Sequence, residues 1–127
     1  KYDEMVVTSP GDLGKQAAEM VAKANPFGGD DAPKPGEGPT KEQRENGYYD
    51  IVFIGETADG ETASLCVKGD KDPGYGSTSK MIAESALCLA QDKIKKGGGI
   101  WTAGALMGKK LVSRLEDKAG LNFVVES

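Results

Sequence analysis

Tyr48-Tyr49-Asp50-Ile51-Val52-Phe53-Ile54-Gly55, then Asp59-Gly60, then Thr62-Ala63-Ser64-Leu65-Cys66-Val67-Lys68 is the stretch that decides the fold. The first run places apolar residues at both parities, the pattern of an interior strand covered on both faces. Asp-Gly is the strongest short hairpin signal, and here it predicts a type I′ turn. The second run alternates Ala63, Leu65 and Val67 with Thr62, Ser64, Cys66 and Lys68, so one of its faces is buried. The two strands therefore form an antiparallel hairpin.

Working outward, Met5-Val6-Val7 is a short apolar run that reads as a strand end. Ser9 then suits an N-cap, Pro10 the first helical position, and Asp12 the third residue of a capping box. Leu13, Ala17, Met20, Val21 and Ala24 follow as one apolar stripe, and Asn25-Pro26 stops the helix. Periodicity then disappears over residues 26–47, where four of the six prolines lie. Loops of that length are mobile or functional. Thr40 can cap one helical turn near its end, over Lys41–Glu45.

After the hairpin, Ile82, Ala86 and Leu89 set a helical core face, widened by Met81, Ser85 and Cys88. Gly97-Gly98-Gly99 interrupts the chain, and Trp101 reads as a core anchor. A helix over about 103–119 turns Met107, Leu111, Val112, Leu115 and Ala119 inward. Gly104 and Gly108 weaken its start unless a neighbouring backbone packs closely there. Gly120 stops it with Leu121 as hydrophobic partner, and residues 121–126 form a closing strand. The expected fold class is α+β, a largely antiparallel sheet with helices packed on it, in one domain over 1–127.

Composition excludes several kinds of chemistry. The chain has 127 residues, net charge −4 and no histidine, so a Ser-His-Asp triad or a His-based zinc site cannot form within it. An acidic balance speaks against nucleic acid, and no apolar run is long enough to span a membrane, so neither is expected as a partner. No metal site is expected either. The last 51 residues are mildly basic, with Lys93, Lys95 and Lys96 clustered and Lys109 beside Lys110. Charged clusters of this kind ordinarily form a solvated face. Cys66 and Cys88 lack CxxC spacing and read as free thiols, consistent with a cytoplasmic location.

The candidate site is Asp70-Lys71-Asp72-Pro73-Gly74-Tyr75-Gly76-Ser77-Thr78-Ser79-Lys80. Pro73 and Gly74 suit the two central positions of a type II turn, with positive φ at Gly74. Ser77, Thr78 and Ser79 compete to cap the following helix. Backbone amides at a helix start, three hydroxyls and Lys80 can make an anion-binding corner. A tight turn with an N-cap is the plain structural alternative, and Lys80 with Glu84 forms an i,i+4 pair. Arg44 is a further candidate anion contact from the preceding loop. No G-x-G-x-x-G follows a strand, and the glycine spacing is not that of a Walker A loop.

Four words occur in order: Lys34-Pro35-Gly36-Glu37-Gly38-Pro39, then residues 69–81 with the string Asp72-Pro73-Gly74-Tyr75-Gly76-Ser77-Thr78-Ser79-Lys80-Met81, then Gly98-Gly99-Ile100-Trp101-Thr102, then Arg114-Leu115-Glu116-Asp117-Lys118-Ala119-Gly120-Leu121. This series resembles the C-terminal part of bacterial saccharopine dehydrogenase-like NAD(P)-dependent oxidoreductases, also called trans-acting enoyl reductases. The resemblance runs from about Pro33 to the end. It implies a parent with an N-terminal Rossmann domain holding NAD or NADP, and a C-terminal α+β domain that completes a substrate cleft or a dimer interface. It implies that this chain, lacking the cofactor fingerprint, is inactive alone and binds no cofactor itself. Tyr75, Ser77, Thr78, Ser79, Lys80 and Arg44 would then face a small-molecule substrate or the cofactor. A non-enzymatic oligomerisation module, packing through Gly104 and Gly108 as a homodimer, and a stand-alone anion-binding domain are the alternatives.

Overall fold

The computed structural model describes residue 3, residues 5–7, 9–24, 34 and 36–126. The chain divides into two compact units, Lys1–Glu37 and Gly38–Ser127. In the first, α1 spans Asp12–Lys23. It starts later than the Ser9 capping box predicts, because Gly11 takes the cap position at φ 81, a conformation that side chains rarely adopt. Ser9 makes no capping bond, and Met5–Val7 forms no strand and is exposed. Leu13, Met20 and Val21 are exposed as well, so the stripe on α1 does not face a core. The expected stop at Asn25-Pro26 lies outside the described residues, as does part of the irregular segment that follows.

The second unit begins with α2, Lys41–Asn46, and Thr40 caps it as expected. The Thr40 hydroxyl accepts the Gln43 amide at 3.2 Å, while the Gln43 side chain accepts the Thr40 amide at 2.8 Å. Strand β1 (Tyr49–Glu56) and β2 (Thr62–Gly69) pair antiparallel, Tyr49 opposite Gly69 and Phe53 opposite Leu65. Helices α3 (Gly76–Gln91), α4 (Ala103–Met107) and α5 (Lys109–Lys118) follow, and β3 (Leu121–Glu126) returns antiparallel to β2. The sheet order is β1-β2-β3, so the fold is α+β with an antiparallel sheet and helices on one face.

Four expectations are corrected here. The hairpin forms, but Gly60 alone has positive φ in the turn, and its amide donates to the Thr57 carbonyl at 3.1 Å. A type I′ turn needs positive φ at Asp59 too, so this is a three-residue loop closed by a left-handed glycine. β1 is an edge strand rather than an interior one, with Ile51, Val52, Phe53 and Ile54 at 45–78% exposure. The long final helix breaks at Gly108, whose φ 52, ψ −132 belongs to no helix. On α3 the packed face is Ser77, Met81, Ser85 and Cys88, while Ile82, Ala86 and Leu89 point away from the core.

The core explains that last choice. Val67, Cys88, Met107, Leu111, Leu115, Ala119 and Leu121 form one buried cluster, with Leu65, Met81 and Phe123 packed against it. α3 meets this cluster through Cys88, and on the same face Glu84 pairs with Arg114 of α5, Nε 3.0 Å from Oε2. Gly120 ends α5 at φ 73, as expected for a left-handed stop.

Candidate functional site

Pro73 follows Asp72 and opens the turn into α3, and Asp72 is the residue that organises it. Its carboxylate accepts the amides of Gly74 and Tyr75 at 3.0 Å each and of Gly76 at 2.5 Å. Its carbonyl accepts the Ser77 amide at 2.8 Å. The Gly76 and Ser77 amides are orphan donors of the start of α3, satisfied here from within, while those of Gly74 and Tyr75 belong to the turn before it. The Tyr75 amide bond, followed by those of Gly76 and Gly74, holds the Asp72 carboxyl below the ordinary aspartate range, with desolvation opposing and Arg44 assisting. Gly74 has no positive φ, so the type II turn expected from Pro73-Gly74 is not the one formed.

The segment before β1 wraps this turn. The Arg44 carbonyl at the end of α2 accepts the Asp72 amide at 3.2 Å, and the Glu45 carbonyl accepts Lys71 Nζ at 3.1 Å. Gly47 lies against the Asp72 backbone so closely that any Cβ there would collide with it. Gly38 lies under the Tyr75 ring, where a Cβ would stand 3.1 Å from the nearest ring carbon, a tight contact that a small shift of the ring relieves. The two words of sequence, 38–47 and 70–80, thus fold as one structure.

The candidate residues fall into two groups within it. Ser77 is fully buried and shares a 2.8 Å hydrogen bond with the Tyr49 hydroxyl. The Thr78 hydroxyl donates to the Pro73 carbonyl at 2.6 Å, and the Ser79 hydroxyl to the Gly76 carbonyl at 3.2 Å. Arg44 turns back to the Pro39 carbonyl at 2.8 Å. Tyr75, by contrast, is 57% exposed. Lys80 reaches Asp70 at 3.4 Å, rather than the expected Glu84, and keeps part of its side chain in solvent. Tyr75 and Lys80 therefore face outward, while Ser77, Thr78, Ser79 and Arg44 spend hydrogen bonds on the scaffold.

Sequence reasoning missed Asp72, which organises the turn although Tyr75 holds the cap position of α3. The signal was present, since an Asp side chain at a turn readily accepts the amides that follow it. It also missed a polar cluster on the open sheet face. There the Cys66 thiol donates to Asp50 at 2.6 Å, and Lys68 lies 3.2 Å from the same carboxylate. That hydrogen bond is the chief cause that lowers Asp50 and raises Cys66, a direction that favours the protonated thiol over the nucleophilic thiolate.

Among the described residues, no group of His, Cys, Asp or Glu is arranged to hold a metal ion. No helix among them is long and apolar enough to cross a membrane. At the start of α3 the Gly76 amide is taken by the Asp72 carboxylate and the Ser77 amide by the Asp72 carbonyl.

Against known proteins, the chain is similar to several mycobacterial sequences. One of Mycobacterium tuberculosis, which carries the name trans-acting enoyl reductase as a provisional assignment, is 41% identical over 85 residues, 65% of this chain and 20% of the relative. A trans-acting enoyl reductase of Mycobacterium ulcerans is 35% identical, and one of Mycobacterium bovis 34%, over the same shares. The chain thus spans about a fifth of the length of the curated relatives it matches. No family model matches it, and no solved structure does.

Proposed function

We propose that this chain is the C-terminal α+β part of an NAD(P)-dependent oxidoreductase of the saccharopine dehydrogenase-like, enoyl-reductase type, completing a substrate cleft formed with a Rossmann domain. The similarity to named enoyl reductases over 85 residues carries this reading. Uncovered apolar surface supports it: Ile51 and Phe53 on the helix side of β1, and Ile82 and Leu89 on α3, are 45–69% exposed. A sheet edge with apolar residues on both faces is the surface a further domain covers. A second copy of the chain is the other occupant that this edge admits.

In this reading Tyr75 and Lys80 face the cleft and hold a polar or anionic group of the substrate or cofactor. Asp72, Ser77, Thr78, Ser79 and Arg44 fix the backbone that presents them. No hydride step is assigned to any residue of this chain. The test is a chimera in which this sequence replaces the matching segment of the Mycobacterium tuberculosis relative. The chimera is expected to oxidise NADPH or NADH with an enoyl thioester, and Lys80→Ala is expected to raise KM for one ligand with little change in fold. Unchanged KM values for both ligands in Lys80→Ala would make the turn purely structural. NAD(P)H oxidation by the isolated chain would overturn the assignment of the cofactor site to another domain.

A further inference from the structure

The lysine clusters and Trp101 are not absorbed by the reading above. Between Lys96 and Lys109 the sequence carries no charged residue, and both ends of that interval are lysine pairs, Lys95-Lys96 and Lys109-Lys110. Every residue from 97 to 105 is exposed. Ile100 protrudes fully, at 104% exposure, and Trp101 is 46% exposed, which corrects its expected place in the core. The glycines let the loop fold back on itself. Gly99 sits at φ 152, and the Trp101 indole N–H donates to the Gly97 carbonyl at 3.2 Å. Lys96 stands over the indole ring, 4.5 Å from its centre.

Beside this loop is an open groove of about 280 Å³, floored by Ile94 and Leu106 and rimmed by Lys93, Lys95, Lys96, Lys109 and Lys110. None of the five lysines is ion-paired among the described residues, although the chain as a whole is acidic. Unpaired cations gathered from two segments ask for an anionic surface. A protein partner would have to provide a pocket shaped to a protruding Ile100. A fluid bilayer makes that pocket itself, takes Trp at its headgroup level, and attracts lysines to its anionic lipids.

We infer that residues 93–110 form a docking site for an anionic phospholipid bilayer surface, with Ile100 and Trp101 entering the headgroup region and the five lysines of the neighbouring groove meeting the anionic headgroups. The contact is peripheral, and it revises the expectation that a membrane is not a partner. It does not depend on the enzymatic reading.

Trp101 is the single tryptophan of the chain, so its emission reports on this loop alone. Vesicles of phosphatidylglycerol mixed with phosphatidylcholine are expected to sediment the protein and shift its emission to the blue. Phosphatidylcholine vesicles are expected to do neither. Lys95→Glu with Lys96→Glu should weaken binding on the order of ten-fold or more, and raised salt should weaken it too. Ile100→Asp should abolish the blue shift. These positions are exposed, so circular dichroism should show the same fold in every variant. No sedimentation with the anionic vesicles would overturn the inference, as would equal binding to phosphatidylcholine alone or unaltered binding by either variant. Retention on polyglutamate with the same lysine dependence, without vesicle binding, would reassign the site to an acidic protein surface.

Discussion

The Tyr49 hydroxyl on edge strand β1 and the Ser77 hydroxyl at the start of α3 lie 2.8 Å apart, joining the sheet edge to the helix layer. Tyr49 reaches Ser77 by crossing over Gly69 of β2, where a Cβ would run into the ring. Ser77 is fully buried, so it depends on this partner. Tyr49→Phe is expected to cost about 1–3 kcal/mol by stranding the Ser77 hydroxyl. Ser77→Ala should cost less, because the Tyr49 side chain is only part-buried. Urea unfolding midpoints check the order, and equal or reversed losses would refute the asymmetry.

Two glycines should respond in opposite senses to alanine. Gly120 holds φ 73 with the Asp70 carboxylate against it, and its carbonyl accepts the Asp70 amide at 3.3 Å. Gly120→Ala is expected to lose about 1–2 kcal/mol from the left-handed backbone, and more from displacing Asp70 and hence Lys80. Gly104, in α4, has open space where a Cβ would be. Gly104→Ala should be neutral or stabilising by up to about 1 kcal/mol. Thermal melts of both variants decide this, and a marked loss at Gly104 would favour a close-packed interface through Gly104 and Gly108.

The hairpin was legible because Asp59-Gly60 and the alternation in 62–68 are local signals, although the turn type differs, Ala63 is exposed and Cys66, on the polar side of the alternation, is buried. The edge position of β1 was not, since apolar residues at both parities say that a strand should be covered and nothing about what covers it. α3 shows the same limit. It carries two apolar stripes, and the packed one is that beside Glu84, whose partner Arg114 is thirty residues away in sequence and so invisible to local periodicity. At the candidate site, Ser77, Thr78 and Ser79 lie inside α3, past its start, and it is the Asp72 carboxylate that accepts the amides of residues 74–76.

Arg114 also links α5 to Asp92 at 3.4 Å, so one guanidinium serves two carboxylates whose side chains are 14–26% exposed. Arg114→Met keeps the stem but leaves Glu84 and Asp92 without the cation they share. A loss of about 1.5–3 kcal/mol is expected, reduced in Glu84→Gln, where less charge is left unpaired. A double-mutant cycle measures the coupling, and additive losses would show that the bonds to Glu84 contribute nothing of their own.

Neither thiol should react readily in the folded protein. Burial, followed by the neighbouring Asp92, raises Cys88, while the hydrogen bond to Asp50, followed by burial, raises Cys66. A raised thiol pKa favours the folded state at neutral pH, and that contribution is lost as pH rises through the folded-state value. Labelling with a thiol reagent at mildly alkaline pH should be slow in buffer and complete in urea. Fast labelling of the folded chain would contradict the geometry.

Asp72 predicts how the turn responds to acid. Its folded-state pKa is lowered, first by the amide of Tyr75, so the folded protein binds a proton there less readily than the unfolded chain does. Its contribution to stability is therefore complete above the ordinary aspartate value, about 3.9, and is lost as pH falls through the lower folded value. Asp72→Ala should lower the melting temperature by several degrees at neutral pH and make the acid limb of the stability profile shallower. Asp50 and Asp59 are also lowered, so a residual slope should persist. Asp72→Asn separates the two effects, since its amide oxygen still accepts the turn's N–H groups while its charge is gone. It should recover part of the neutral-pH stability and keep the shallow acid limb; an acid limb as steep as that of the unsubstituted chain would show that Asp72 is not the group titrating there.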